Sequence, residues 1–199
     1  MMLVLIMMTN CDNNPTGSSG EMTGNFTDIR DNHTYDWQKI GTQTWMTENL
    51  AYKPDNGEYW AYNNDISNVV VYGYLYSWDT AQTIAPTGWH LPSQAEWETL
   101  VNYLGGADEA YDKLLEAGTF HWGSPNDATN ESGFTALPSG FYDQRDNSFN
   151  YIGTTTMFHS STEYNSDYCI GLILNQNFKE AGIEGRPKEL ALPIRLIKD

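Results

Sequence analysis

The sequence predicts an α+β domain. Helical patterning is concentrated in the first half of the chain, strand-like runs fill the part after Gly118, and the two kinds do not alternate as a βαβ fold requires. With 40% hydrophobic, 14% aromatic and only 18% charged residues, the chain can bury a core. Its 199 residues suit one domain with a tail.

Met1–Met8 is an unbroken apolar run, followed by Thr9, Asn10 and Cys11. A spanning helix needs about 20 apolar residues, so this run is too short to cross a membrane, but it fits the apolar part of a secretory signal. A Cys that closes such a run and opens a polar stretch resembles a bacterial lipoprotein signal, which implies lipid on Cys11. Met8, Thr9 and Asn10 depart from that pattern, and no Lys or Arg precedes the run. The alternative is a short apolar start with an ordinary free Cys. Residues 12–27, rich in Asn, Gly, Ser and Thr, read as a flexible tether, leaving 28–199 as the folded domain.

Within that domain, Tyr35–Ile40 alternates aromatic and polar residues, and Gly41-Thr42 turns the chain into Gln43–Met46, a β-hairpin. Lys53–Gly57 carries Pro and Asn-Gly where a tight turn wants them. The spacing predicts a helix over Gln94–Leu104. Ser93 and Glu96 form an S-x-x-E capping box, and Trp97, Leu100, Val101 and Leu104 share one face before Gly105-Gly106 ends it. Leu75, Trp78 and Ala81 predict a second helix over Tyr72–Gln82, and Tyr111, Leu114 and Leu115 a third over Asp108–Ala117. Gly133–Tyr142, Thr154–Ser160, Tyr168–Leu174 and Leu190–Ile197 read as strands, with Asp143–Asn147 a hairpin loop.

Trp45–Tyr52 (WMTENLAY), Tyr72–Trp78 (YGYLYSW), Gly88–Trp97 (GWHLPSQAEW), Gly133–Gly140 (GFTALPSG) and Ile194–Asp199 (IRLIKD) occur in the order and at about the spacing of the Fibrobacter succinogenes major paralogous domain, which the chain resembles. GWHLPS-x-x-EW is the most specific piece. The resemblance implies a C-type-lectin-like fold of the kind shared with formylglycine-generating enzymes: a twisted antiparallel sheet, two main helices, long loops on one side and ends that meet, bringing Tyr35–Ile40 near Leu192–Ile197. It also implies a secreted or lipid-anchored bacterial protein, placed at the cell envelope as an outer-membrane or cell-surface lipoprotein, or released. Where relatives commonly carry Cys, this chain has Ala85 and Leu196, which implies that the two positions pair in relatives and are buried here.

No catalytic arrangement stands out. His33, His90, His121 and His159 lack metal-ligand spacing, no G-x-S-x-G is present, and Cys169 stands without the second late cysteine that formylglycine-generating enzymes use. His90 reads as a hydrogen-bonded structural residue and Cys169 as a small buried hydrophobe. The calcium triplets of sugar-binding lectins are missing, and Asn126-Asp127 and Asp143…Asp146-Asn147 read first as turn formers. No cofactor and no metal is implied.

A net charge of −16 argues against nucleic acid and anionic membrane surfaces, so membrane contact is expected only through the lipid. Trp37, Trp45, Trp78, Trp89 and Trp97 are expected in the core, whereas Trp60, Trp122, Tyr142 and Tyr164 lie in loop-like sequence. Loop rings beside amides and carboxylates suit a sugar- or peptide-binding face, although the same rings could cap the core. The expected ligand-binding set is Trp122, Asn126, Asp127, Tyr142, His159, Glu163 and Tyr164. The expected function is non-catalytic binding or adhesion toward a glycan or surface protein; an enzyme with an unrecognised site, or a structural subunit of a surface assembly, are the other readings.

Overall fold

The computed structural model describes residues 22–199. Among the described residues the architecture is α+β, with mostly antiparallel sheets and four α-helices. β1 (Thr23–Asp28), β2 (His33–Ile40) and β3 (Gln43–Met46) form an antiparallel meander, and Gly41, at φ +61°, makes the β2–β3 turn that the sequence predicts. β1 corrects the tether: Thr23–Thr27 are paired strand, because Phe26 stacks on Tyr35 and Trp89 with centroids 5.4 and 4.5 Å apart. The remainder of the tether, the apolar run and Cys11 lie outside the described residues.

Next come β4 (Tyr59–Trp60), α1 (Ser67–Tyr72), β5 (Leu75–Tyr76) and α2 (Trp78–Ala81). These replace the single helix expected over Tyr72–Gln82. Gly73 sits at φ +71° with Leu50 O and Asn49 packed against the place a Cβ would take, so the helix must stop there. Leu75 and Tyr76 are then drawn into strand pairing with β4, and Tyr76 also bridges Leu192. Ser77 starts α2 by accepting from Thr80 N–H.

β6 (Trp89–His90) leads into α3 (Gln94–Tyr103), where the expected capping box is formed. Ser93 N–H donates to Glu96 Oε2 at 2.7 Å, and Glu96 N–H to Ser93 Oγ at 3.4 Å. The other Glu96 oxygen takes His90 Nε2 at 2.8 Å, and His90 Nδ1 meets Asp199 at 2.7 Å. Burial alone would lower the pKa of His90, but hydrogen bonds to Glu96 and Asp199 outweigh it and hold the imidazole above its ordinary value. α4 (Ala107–Leu114) follows, burying Tyr111 and Leu114 as expected.

The second half supplies β7 (Ser139–Asp143), β8 (Ser148–Ile152), β9 (Thr155–Glu163), β10 (Tyr168–Asn175), β11 (Ala181–Pro187), β12 (Leu190–Ala191) and β13 (Ile197–Lys198). Two expected strands are shorter than their sequence pattern. Of Gly133–Tyr142 only the part from Ser139 pairs as a strand, because Thr135 lies at positive φ and Pro138 has no N–H to donate. Leu190–Ile197 is divided between β12 and β13 across Pro193, and the two pieces join different sheets.

One sheet has the order β1-β2-β3-β13-β6, a second runs β11-β10-β9-β7-β12 with β8 on β7, and a third pairs β4 with β5. The expected meeting of early and late segments is present, one strand further along than the hairpin's first arm: Ile197 pairs with Trp45 on β3, and Leu50 N–H donates to Ile194 O at 2.9 Å. Between the sheets and helices lies a core of stacked rings, Trp97 on Trp45 at 4.6 Å and on Phe158 at 5.8 Å. Trp45, Trp89 and Trp97 are buried as expected, but Trp37 and Trp78 are only half-buried. Leu196 is buried as expected, whereas Ala85, expected to be buried too, is only half-buried where it packs against the same cluster.

Truncating Trp97 to Ala is expected to cost about 3–5 kcal/mol in urea unfolding, and Ser93→Ala about 1 kcal/mol, because one opens a cavity while the other leaves a helix-end N–H unpaired. An unchanged unfolding midpoint for Trp97→Ala would remove this ring stack from the account of stability.

Candidate ligand-binding groove

The seven residues singled out from the sequence do not share one face. Trp122 is 1% exposed, inside the main core cluster, with Nε1 donating to Ala136 O at 2.9 Å. Tyr142 is 8% exposed in a different cluster, stacked on Trp60 at 4.6 Å and joined to Asn147 Oδ1 at 2.9 Å. The expectation that these two rings offer open stacking faces is therefore corrected: the loops fold their rings inward, where burying large apolar faces outweighs leaving them in water. Asn126 donates to Glu116 O and Gly118 O, closing its own loop, and Asp127 faces Lys179 at 3.8 Å. Glu163 pairs with Lys188 at 2.6 Å, and Tyr164 is 68% exposed on the same turn.

His159 is fully buried on β9. Its Nε2 lies 3.0 Å from Tyr76 O, which can only accept, so Nε2 carries the proton and Nδ1 faces Cys169 Sγ at 3.8 Å. Burial pulls the imidazole down to about 4 and pushes the Cys169 thiol up to about 11, so both are neutral near pH 7. The pair is thus a neutral, water-free contact between β9 and β10. Sign follows from linkage: the unfolded chain takes up a proton near pH 6.5 that the folded chain refuses until about 4. Stability is expected to fall as pH drops through that window, by on the order of 3 kcal/mol. Urea unfolding at about pH 7 and about pH 4.5 should show this loss in the parent chain and a smaller one in His159→Gln; equal losses would assign the acid sensitivity to other groups.

Where loop side chains do converge is around Trp78. An open groove of about 340 Å³ is lined by Glu58, Ser77, Trp78, Asp79, Gln144, Ser166, Asp167, Lys188 and Glu189. Each wall is set by local backbone bonding. Ser77 N–H donates to Glu58 O at 3.0 Å and Glu58 N–H to Thr80 Oγ1 at 2.8 Å, which fixes α2 against the segment before β4. In the β9–β10 turn, Asn165 Oδ1 accepts from Asp167 N–H at 2.9 Å and Tyr168 N–H at 3.0 Å. The β11–β12 turn is stitched to it by Lys188 N–H to Asp167 O at 2.9 Å, and to the β7–β8 turn by Gln144 N–H to Glu189 O at 3.1 Å.

Trp78 is the floor of this groove. Its Nε1 donates to Ser160 O at 2.9 Å, which pins the indole, and the residue is half-buried. Lys188 Nζ lies 4.2 Å from the ring centroid while reaching Glu163. Among the described residues, Glu58, Asp79, Asp167 and Glu189 have no ion-pair partner, so the rim offers carboxylate acceptors directed at solvent. A ring face ringed by acceptors, amide and hydroxyl groups can hold a polar ligand by stacking and hydrogen bonding. Of the residues expected from sequence, Glu163 contacts this groove through Lys188, and Tyr164 lies on the β9–β10 turn that also carries Ser166 and Asp167. Trp78, Asp167 and Lys188 were missed, because YGYLYSW reads as core and nothing in the sequence shows that three turns meet. Among the described residues no group of three or more His, Cys, Asp or Glu side chains is placed to hold a metal ion, and no helix is long and apolar enough to cross a membrane.

An α+β domain whose early and late strands share a sheet, with a polar groove built from turns, is the class that fold and site define. Residues 39–198 match the Fibrobacter succinogenes major domain, and the chain belongs to that family. No curated protein and no solved structure matches it.

Proposed function

We propose that the protein is a non-catalytic binding domain of C-type-lectin-like architecture that holds a glycan in the groove over Trp78. One observation carries this reading: a half-exposed indole at the bottom of an open groove, with acceptors, amide and hydroxyl groups converging on it from five separate segments. Sugars present apolar C–H faces and rings of hydroxyls, which such a surface meets by stacking and by hydrogen bonds to carboxylates. The net charge of −16 favours a neutral ligand over an anionic one. The pairing of β3 with β13 supports the lectin-like reading of the fold, since that fold loops back on itself.

The test is a glycan array probed with the Cys11→Ser chain, with and without Ca²⁺. Glycans retained by the parent are expected to be lost from Trp78→Ala and weakened about tenfold by Tyr164→Ala or Asp167→Asn, with thermal unfolding of the two exposed variants unchanged. Binding that survives in all three would move the site elsewhere.

The second part of the proposal is the address. Met1–Met8 and Cys11 support export and lipid attachment, with the domain held at a bacterial surface. Radiolabelled palmitate should enter the parent chain in a bacterial host and not Cys11→Ser; equal labelling of both would overturn the anchor.

A further inference from the structure

A second surface, unrelated to the Trp78 groove, is apolar where it should be polar. α1 reads SNVVVY, three successive β-branched residues in a helix of six, a poor helix former by itself. Only Val69 is turned inward; Val70 is 89% exposed and Val71 41%, with Ile66, four residues before Val70, 65% exposed. Beside these side chains opens a cavity of about 270 Å³, walled by Val69, Val70, Val71 and Leu137. Arg195 reaches its floor, but each of its N–H groups is already bonded within the chain, so the floor offers no free donor. The apolar surface continues past the helix: Tyr72 meets His121 edge-on at 5.7 Å, and His121 meets Phe120 at 4.6 Å, with Phe120 87% exposed.

The rim is acidic. Glu48 and Glu116 border the cavity together with His33, and apart from the buried Arg195 no Lys or Arg lines it. Glu116 is shared with His121 at 2.8 Å, whereas Glu48 has no cation within ion-pair distance among the described residues. Exposed apolar side chains clustered around a hollow and rimmed by polar groups mark an interaction surface. A second copy of the chain would bring the same acids and the same −16 against this rim, which disfavours self-association. A lipid surface of anionic headgroups is disfavoured for the same reason.

We propose that the α1–Phe120 face docks a segment of another protein that carries an aliphatic or aromatic anchor flanked by Lys or Arg. The anchor enters the cavity beside Val70, and the flanking cations face Glu48 and Glu116. Charge complementarity selects the partner's sign, and the size of the hollow selects an anchor of Leu, Met or Phe dimensions.

The test pans a phage-displayed library of random peptides on the full chain and measures the enriched peptides, fluorescently labelled, by anisotropy. The enriched sequences are expected to combine an apolar anchor with neighbouring Lys or Arg and to bind more weakly as salt is added. They should bind Val70→Asp and Phe120→Ser about tenfold or more weakly than the parent, and bind Trp78→Ala as the parent does, which separates this site from the glycan groove. Both positions are exposed, so unchanged melting of these two variants is the fold control; if Val70→Asp melts early, Phe120→Ser decides. Failure to enrich any peptide, enrichment of peptides without cations, or binding indifferent to both substitutions would overturn the proposal. So would concentration-dependent dimerisation in sedimentation that Val70→Asp abolishes, since the face would then belong to a second copy.

Discussion

The guanidinium of Arg195 is the constraint on which the arrangement of the domain rests. It is 1% exposed, and among the described residues it has no carboxylate within ion-pair distance. Taking a cation out of water costs several kcal/mol unless hydrogen bonds replace the lost solvent. Here oxygen atoms from two distant stretches of chain do so. Nε and Nη2 donate to Asn49 Oδ1 at 3.1 and 2.9 Å, Nη1 to Met46 O at 3.2 Å and to Phe134 O, and Nη2 also to Thr135 O at 3.3 Å. The Phe134 ring lies 4.4 Å from the guanidinium carbon and adds a cation–π contact. Desolvation pulls the group down to about 9, which leaves it charged at neutral pH. Only a planar fork with five donors can meet this many acceptors at once, so a lysine could not replace it.

From that node the rest of the framework follows. Asn49, held by Arg195, passes its own amide protons to Tyr72 O at 2.8 Å and Ser139 Oγ at 2.9 Å, tying the end of α1 and the start of β7 to the same point. Met46 N–H donates to Leu196 O at 3.0 Å, so the segment that carries Arg195, just before β13, is locked beside β3. Around it, the Trp45–Trp97–Phe134–Phe158 rings fill the space between α3 and the second sheet with stacked and edge-on contacts. A rigid interior of this kind frees the turns from structural duty and lets them carry polar side chains, as they do around Trp78.

The two surfaces proposed to bind differ in chemistry for a simple reason. The Trp78 groove is made from three turns, the start of α2 and Glu58, whose side chains are mostly polar because they face water, with one half-buried ring among them. The α1 face is made from a short helix that ends at Gly73 before it can bury more than Val69. The first therefore suits a hydroxyl-rich ligand and the second an apolar anchor, while the acid excess of the chain sets the sign of charge that either can accept.

Local chemistry was readable without coordinates. Ser93 and Glu96 announce a helix start because both partners of the capping box lie within one turn, and Gly41-Thr42 announces a hairpin because the turn needs only its own two residues. Those signals are short-range, and the structure keeps them. Tyr72–Gln82 shows the opposite case: its helical spacing is real, but Leu75 and Tyr76 gain more by pairing with Tyr59–Trp60 and bridging Leu192, partners that no window of sequence contains. Trp122 and Tyr142 have the composition of a binding loop, yet the loop closes over them, since whether a ring points to water depends on what lies beneath it. The groove over Trp78 was hidden for the same reason, being assembled from segments as far apart in the chain as Glu58 and Glu189. What the sequence determined by itself was the α+β class, the family and the local elements, because hydrophobic period and capping act within a few residues. Tertiary structure alone decided which rings are exposed, which acids lack partners and where three turns meet, because those depend on packing between distant segments.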